Sequence, residues 1–548
     1  MFAGIEKRLP AHIKMYGFPI CHKLNLPKDS GGVLMRISRK NKKRKPAPAD
    51  TKKDVNAKEN INGQLQESLN IIQKIFNKTP DLTIRPLLIK QTKEQAFLVY
   101  LKSIIDSKTI FKHILKPLLF EEGAEKDGAK WEVSLGPFRK TMDWNQIEDA
   151  VLNGECVLFV ENSKEAFIFN TPEFPKRAVE ESKIETSITG AHIGFTENVD
   201  DNIALIRKHI RNRELKIHEM TVGERGKSKV SILYLEDVAN PDVLEILKKR
   251  IGNLKIDAVI NAGILAEYIE DYPYAVFPQM LLTERPDFAA EEILQGRYAV
   301  VVDRSPTVII CPATFDSFFK TIDDYSSRWI VASFIRLLRF VGFIIAVFLP
   351  AFYIAVISFH FEILPLELLF SIAESRERIP FPPYIEAFLM ELTLEMLREA
   401  GIRLPEKIGQ TVGIVGGIII GQAAVEAGIV SNIMVIVVAL TAVASFIIPN
   451  YEMSSAIRLV RFPMMILAAL FGFVGITAGA MMLLAHFLVL ESAGTPYSSP
   501  FAPLKLSDWK DSLIIFPQKY QTKRPLSTKS KQIKRAEFNR RDGGQNGR

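Results

Sequence analysis

The chain has 548 residues, of which 47% are hydrophobic and 24% charged, a length that excludes a single core and asks for two or three domains. Its net charge of +8 is concentrated in two runs, Arg36 to Lys45 and Lys519 to Arg541, and neither alternates basic with aromatic residues. That pattern argues against a nucleic-acid-binding face and for flexible tails beside an anionic membrane surface.

Residues 1–63 are rich in Lys, Pro, Asn and Asp with little periodicity, and read as a disordered basic extension. They lack a basic segment followed by an apolar core and a small-residue cleavage site, so no signal peptide is expected. From Gln64 strand and helix signals alternate. Leu82 to Lys90 and Ala96 to Ile105 read as strands, Lys108 to Phe120 and Trp144 to Asn153 as helices, and Cys156 to Val160 and Ala166 to Asn170 as paired strands. After a polar stretch around Lys183 to Asp200 the pattern repeats. A helix is expected at Asn202 to Arg211, strands at Leu215 to Val222 and Val230 to Glu236, and a helix from Pro241; strands at Ala275 to Leu282 and Tyr298 to Val302 enclose a helix near Pro286 to Gln295. The expectation is two small α/β lobes, 64–182 and 183–325. Cys21, Cys156 and Cys311 show no metal-ligand or CxxC spacing and read as reduced thiols in a cytosolic head.

From Trp329 the composition changes. Ile330 to Phe359 is long and apolar enough for a hydrocarbon layer of ~30 Å, broken only by Pro350. Arg328, Arg336 and Arg339 at its start place the head on the cytoplasmic side by the positive-inside tendency. Apolar segments return at Ile408 to Val430, Ile433 to Ile448 and Phe462 to Leu490. A basic tail, 493–548, belongs on the same side, so an even number of crossings is expected within 326–492. Four is the central expectation, with a broken or re-entrant element after the first.

Candidate chemistry is sparse. Thr221 to Ser228 ends in Gly-Lys-Ser, but Thr stands where a phosphate-binding loop needs its first Gly, and strands flank it on both sides. A hairpin turn with Gly223 and Gly226 at positive φ is the better reading. No HExxH or GxSxG arrangement exists, so neither an enzyme nor a cofactor is expected. In the apolar half, Gly413, Gly417 and Gly421 share one helix face, and Gly475 and Gly479 another. Such faces let helices approach closely, within one subunit or between subunits. Glu391, Glu395 and Glu399 form an acidic stripe on the helix Pro383 to Ala400, with Leu389, Leu392 and Met396 supplying an apolar face. Around an axis these would favour cations and close a pore by dewetting; on a lone helix they would lie at the membrane surface. Glu426 stands inside an apolar segment, lining a cavity or near a helix end.

The run Arg378 to Gly421, RIPFPPYIEAFLMELTLEMLREAGIRLPEKIGQTVGIVGGIIIG, and its continuation to Met464 strongly resemble the GerA-type A subunit of spore germinant receptors. So do ERPD at Glu284 to Asp287, GRYAVVVDRSPTVIICPATF at Gly296 to Phe315, and GTPYSSPFAP at Gly494 to Pro503. The resemblance covers about Gln64 to Pro517. It implies a subunit of the spore inner membrane that acts with a transporter-like B subunit and a lipoprotein C subunit, homo-oligomerises among lipids and passes monovalent cations when a nutrient is sensed. A non-conducting scaffold and a nutrient-binding sensor are the alternatives. The fold class expected is a two-lobed α/β soluble head followed by an α-helical polytopic transmembrane domain.

Overall fold

The computed structural model describes residues 61–120, 138–171, 185, 192–405, 416–417 and 419–535. The expected extension 1–63 therefore lies outside it, except that Ile61 is already buried in the first lobe and Gly63 accepts a backbone hydrogen bond from Asn162.

The first lobe is an antiparallel sheet of β1 (Leu82–Leu88), β2 (Gln95–Leu101), β3 (Arg139–Thr141), β4 (Cys156–Val160) and β5 (Ala166–Phe169), in the order β1-β2-β4-β5-β3. The second contains β6 (Leu215–Val222), β7 (Ser228–Leu235), β8 (Leu281–Thr283), β9 (Tyr298–Val302) and β10 (Val308–Cys311), in the order β6-β7-β9-β10-β8. The two orders are the same. Each lobe also opens with a helix, Leu65–Ile75 and Val199–His209, and sends a helix, Trp144–Leu152 and Pro286–Leu294, between its third and fourth strands. The head is thus one topology used twice. Arg207 joins the two copies, its Nε and NH2 donating at 2.9 Å each to Asp81, with both side chains buried.

The hairpin expected at Thr221 to Ser228 is present, Val222 pairing with Ser228. The positive φ values fall at Gly223 and Lys227 and not at Gly226. Gly226 is needed for space instead, since a Cβ there would lie 2.4 Å from that of Ala258. Residues expected to begin a strand at Ala275 form a loop, and only Leu281–Thr283 pairs.

Two helices are long and apolar enough to cross a membrane, Trp329–Phe359 and Tyr451–Val489; Asn432–Phe446 is apolar but shorter. The second of the long pair is folded in half. Gly472 takes φ 59° and ψ −135°, and Gly479 lies so close to Met464 that a Cβ would be 2.5 Å from its sulfur. Residues fifteen apart on a straight helix would be separated by about 22 Å. The stretches 451–471 and 473–489, about 31 and 26 Å long at 1.5 Å per residue, therefore run antiparallel. Phe473 packs on Phe352 and Phe487 on Phe343, while Arg461 reaches Ala346. Helix Pro383–Arg403 runs back toward the head, with Glu386 beside Ser431 and Arg398 beside Ser445; Asn432–Phe446 does the same, from Tyr353 at its start to Gly342 near its end. Four crossings were expected, with a broken or re-entrant element after the first; among the described residues two helices are long and apolar enough to cross, and the second of them is a hairpin of two antiparallel stretches. Leu366–Arg376 is a short, mostly exposed helix after the first.

Arg336 and Arg339, the expected positive-inside signals, are buried where the first long helix leaves the head, both donating to Asp324 at 2.9 and 2.8 Å. One further expectation is corrected. The segment after 493 is not a loose tail through residue 535. It lies over the second lobe: Phe315 N–H donates to Tyr497, Lys531 N–H to Val238, Arg524 Nε to Leu294, and Arg535 pairs with Glu291. The side chains of Arg524, Lys531 and Arg535 are engaged by the head.

Asp511 of this segment closes the junction, accepting from Tyr325 at 2.9 Å and facing Lys320 at 3.3 Å and Arg336 at 3.2 Å. Burial alone would raise its carboxyl, but Lys320 and Arg336 outweigh burial and hold it below the usual carboxylate range. A carboxyl depressed on folding contributes stability above its unfolded value near 3.9, lost as pH falls through the folded value. Thermal stability in detergent should stay level from neutral pH to about 4 and then fall. Asp511→Asn should lower it at pH 7 and flatten the acid limb, and an unchanged limb in that variant would refute the assignment.

Candidate functional site

The chemistry expected of the apolar half converges on one arginine. Pro350 has no N–H, so the carbonyl of Ala346 four residues earlier loses its helical donor. Arg461, from the first half of the hairpin, donates its Nε to that carbonyl at 2.8 Å. Its NH1 donates to Glu391 on the helix Pro383–Arg403. Both side chains are essentially inaccessible, at 2% and 0%. A single guanidinium thus ties three helices together. One turn away Arg458 meets Glu395 at 3.3 Å, and Arg398 lies 3.8 Å from the same carboxylate. Arg398 also stacks 4.4 Å from the ring of Phe446 and donates to Ser445.

The three glutamates expected on one wet stripe have three different surroundings. Glu391 is sealed against Arg461, Glu395 is partly covered by Arg458, and Glu399 is exposed with Arg403 at 2.6 Å. The stripe fails because a position four residues on turns about 40° further round a helix, enough to carry the face from the interior at 391 to the surface at 399. Leu389, Leu392 and Met396 are 42%, 48% and 57% exposed, so the helix is charged toward its own chain and apolar away from it.

Glu426 lies in the last turn of a helix and is exposed, accepting from Gln422 at 2.9 Å. Gly413 is outside the described residues. Gly417 has nothing within 4 Å of a modest added Cβ and Gly421 only Val435 at 3.8 Å, so neither is required for packing inside the chain. Gly475 and Gly479 are, since an added Cβ would strike the Leu467 carbonyl at 1.9 Å and Met464. Sequence reasoning missed Glu386, fully buried, which receives the Ser431 N–H at 3.0 Å and pairs with Arg376 at 2.7 Å. It also missed Arg458 and Arg461. Their signal was present: two arginines in an apolar run require partners, and Pro350 supplies a free carbonyl. Among the described residues no group of three or more His, Cys, Asp or Glu side chains is placed to hold a metal.

Removing one member of a buried ion pair strands the other, at a cost of ~3–5 kcal/mol, while removing both is far milder. Arg461→Met or Glu391→Met should each lower the melting temperature strongly, and the double variant should recover most of the loss. It should remain below the parent by about 1 kcal/mol, because the Ala346 carbonyl stays unpaired. Additive losses in the cycle would dismiss the clamp.

A family model described as Bacillus/Clostridium GerA spore germination protein matches residues 70–527. Among similar proteins, the uncharacterized membrane protein YfkQ of Bacillus subtilis (strain 168) is 40% identical over 78% of this chain and 84% of its own length. Spore germination protein KA of the same strain is 37% identical over 85% of this chain and 87% of its own. Among solved structures, the N-terminal domain of the A subunit of the Bacillus megaterium spore germinant receptor GerK3 aligns with 25% identity and a TM-score of 0.36, covering 47% of this chain and 98% of that one.

Proposed function

The chain belongs to the GerA spore germination family, and from that premise we propose that it is the A-type membrane subunit of a nutrient-sensing germinant receptor. In this reading the helices from Trp329 to Val489 form a polytopic domain in the spore inner membrane, with the head and the folded C-terminal segment on the cytoplasmic side. A transporter-like B subunit and a lipoprotein C subunit are its partners, and several copies surround an axis through which monovalent cations pass.

The observation that supports conduction is the two-faced helix Pro383–Arg403. Its inward charges are neutralised within the chain, so they do not oppose assembly, while Leu389, Leu392 and Met396 are free to meet the same residues of neighbouring copies. A ring of such side chains closes by dewetting. Glu399, exposed nearer the head, is the least enclosed of the three acids, ahead of Glu395 and Glu391, and a cation entering there competes with Arg403 for it. Opening shifts this helix, and a nutrient achieves that only by binding the open state better than the closed one.

The complex, reconstituted with its partner subunits in vesicles, should pass potassium on nutrient addition. Leu392→Trp should reduce that flux about tenfold, and Glu399→Gln should weaken cation over anion selectivity. A wild-type complex that passes no ions leaves the non-conducting scaffold. A second reading, nutrient sensing by the head, is favoured by a cavity of about 290 Å³ between the second lobe and the C-terminal segment, lined by Arg297, Lys320, Tyr325 and Asp511. Calorimetry of the full chain in lipid discs against amino acids and sugars should give heats that vanish in Arg297→Ala; no heat with any of them removes this reading.

A further inference from the structure

The second lobe carries a loop on which Tyr272, Tyr274 and Val276 stand exposed while Phe277 at its base is buried. After helix Ala262–Ile269 the chain reads Asp-Tyr-Pro-Tyr-Ala-Val-Phe from Asp271 to Phe277. Tyr274 is 100% exposed, Val276 43% and Tyr272 38%, with Tyr268 beside them at 53%. Exposed aromatic groups on a mobile loop would mean little, but this loop is held rigidly. Gln279, itself fully buried, accepts from the Tyr272 N–H at 2.8 Å and donates to the Tyr272 carbonyl at 2.7 Å. Asp271 is gripped by Arg250 at 2.5 Å. The loop is therefore built to present its tyrosines.

Its height on the molecule is fixed by the last apolar helix. Phe277 packs 4.6 Å from Phe487, two residues before that helix ends at Val489. Ala493 N–H donates to Asp271 at 2.7 Å, and Ser492 Oγ donates to the Gln279 carbonyl at 2.6 Å. The base of the loop is thus bonded to the residues with which the chain leaves the apolar helices. Tyr451, 52% exposed, begins the other half of the hairpin at the same end, and the next residue, Glu452, lies within electrostatic reach of Glu270.

An apolar body with a polar hydroxyl is suited to the boundary between hydrocarbon and water, where Tyr and Trp form belts around membrane proteins. We propose that Tyr272, Tyr274 and Val276 dip into the headgroup region of the bilayer and, with Tyr451, anchor the second lobe flat against the membrane. This rests on the membrane reading above. The occupant of the patch is lipid because the base of the loop is bonded to the residues with which the chain leaves the helices that reading places in the bilayer. Fixing the lobe there also fixes the tilt of the hairpin whose end it grips.

The test uses full-length protein in vesicles of phosphatidylethanolamine and phosphatidylglycerol, with Cys21→Ser to remove that thiol. Cys156 and Cys311 are buried, and burial pushes both thiols up to about 12, so they stay unlabelled. An environment-sensitive fluorophore is placed singly by Tyr274→Cys, Tyr451→Cys, Val474→Cys and Arg225→Cys, and quenched by lipids carrying nitroxide near the headgroup or deep in the chain. The label at Tyr274→Cys should lose about half its fluorescence to the shallow nitroxide, as at Tyr451→Cys. Arg225→Cys, on the exposed turn between β6 and β7, should lose none. Quenching at Val474→Cys with none at Tyr274→Cys overturns the anchor while keeping the membrane helices, and a Tyr274→Cys label shielded from both lipid and aqueous iodide assigns the patch to a protein neighbour instead. Absence of lipid quenching at Val474→Cys as well would fell the membrane reading itself.

Discussion

The guanidinium of Arg461 is the constraint on which the helical half depends. In lipid, where the proposed function puts this half, no hydrophobic gain separates helix–helix from helix–lipid contact, so association rests on close packing and polar pairs. This chain uses both. Small residues let the hairpin halves 451–471 and 473–489 touch, and Arg461 joins that hairpin to the proline-containing helix and to the acidic helix at once. The proline is integral to the joint, because an unbroken helix would have kept the Ala346 carbonyl for itself.

With its inner acids neutralised, the helix Pro383–Arg403 has two separable roles. Its charged face is fixed to its own chain, and its apolar face is left for something outside it. A movement of this helix must therefore break or stretch the pairs of Glu391 with Arg461 and Glu395 with Arg458, or carry the hairpin along. The second course is physically easier, since separating a buried pair leaves two uncompensated charges. The hairpin in turn is held to the head at Phe277, Phe315 and Tyr497, which cluster about Phe487. Motion of the head and motion of the acidic helix are in this way mechanically linked through one element.

Much of the fold was legible in the sequence where periodicity carries the information. β4, β5, β6 and β9 fall where alternating or continuous apolar runs predict them, as do the helices starting at Trp144, Pro241 and Pro286, each set by a cap or an N-terminal proline. The change of composition at Trp329 was equally plain. The short strands β3 and β10 escaped, and so did much that depends on distant partners. The C-terminal segment has almost no regular structure and a basic composition, so nothing local distinguishes it from a loose tail; its order comes from head groups such as Glu291 and the Leu294 carbonyl. The hairpin at Gly472 hid inside a continuous apolar run, and Arg336 and Arg339 resembled topology signals until Asp324 and Asp511 met them. The spacing of Glu391, Glu395 and Glu399 was read correctly as helical, but spacing alone does not say which turn faces the interior.

The repeated strand order of the head bears on how a signal would cross it. The cores of the first lobe include no residue of the long helices, whereas the second lobe shares a continuous core with them. The ion pairs that join the first lobe to the second include Asp81 with Arg207, Lys78 with Glu236, and Glu148 with Arg213. Of these only the Asp81–Arg207 pair is buried on both sides, so it alone resists screening by salt and holds a fixed geometry. Helix Val199–His209, which carries Arg207, also packs its Ala204 into the first lobe's core and its Ile203 and Ile206 into the second's. One helix therefore belongs to both copies of the topology, and a tilt of the first lobe reaches the head–helix junction through its packing in both cores.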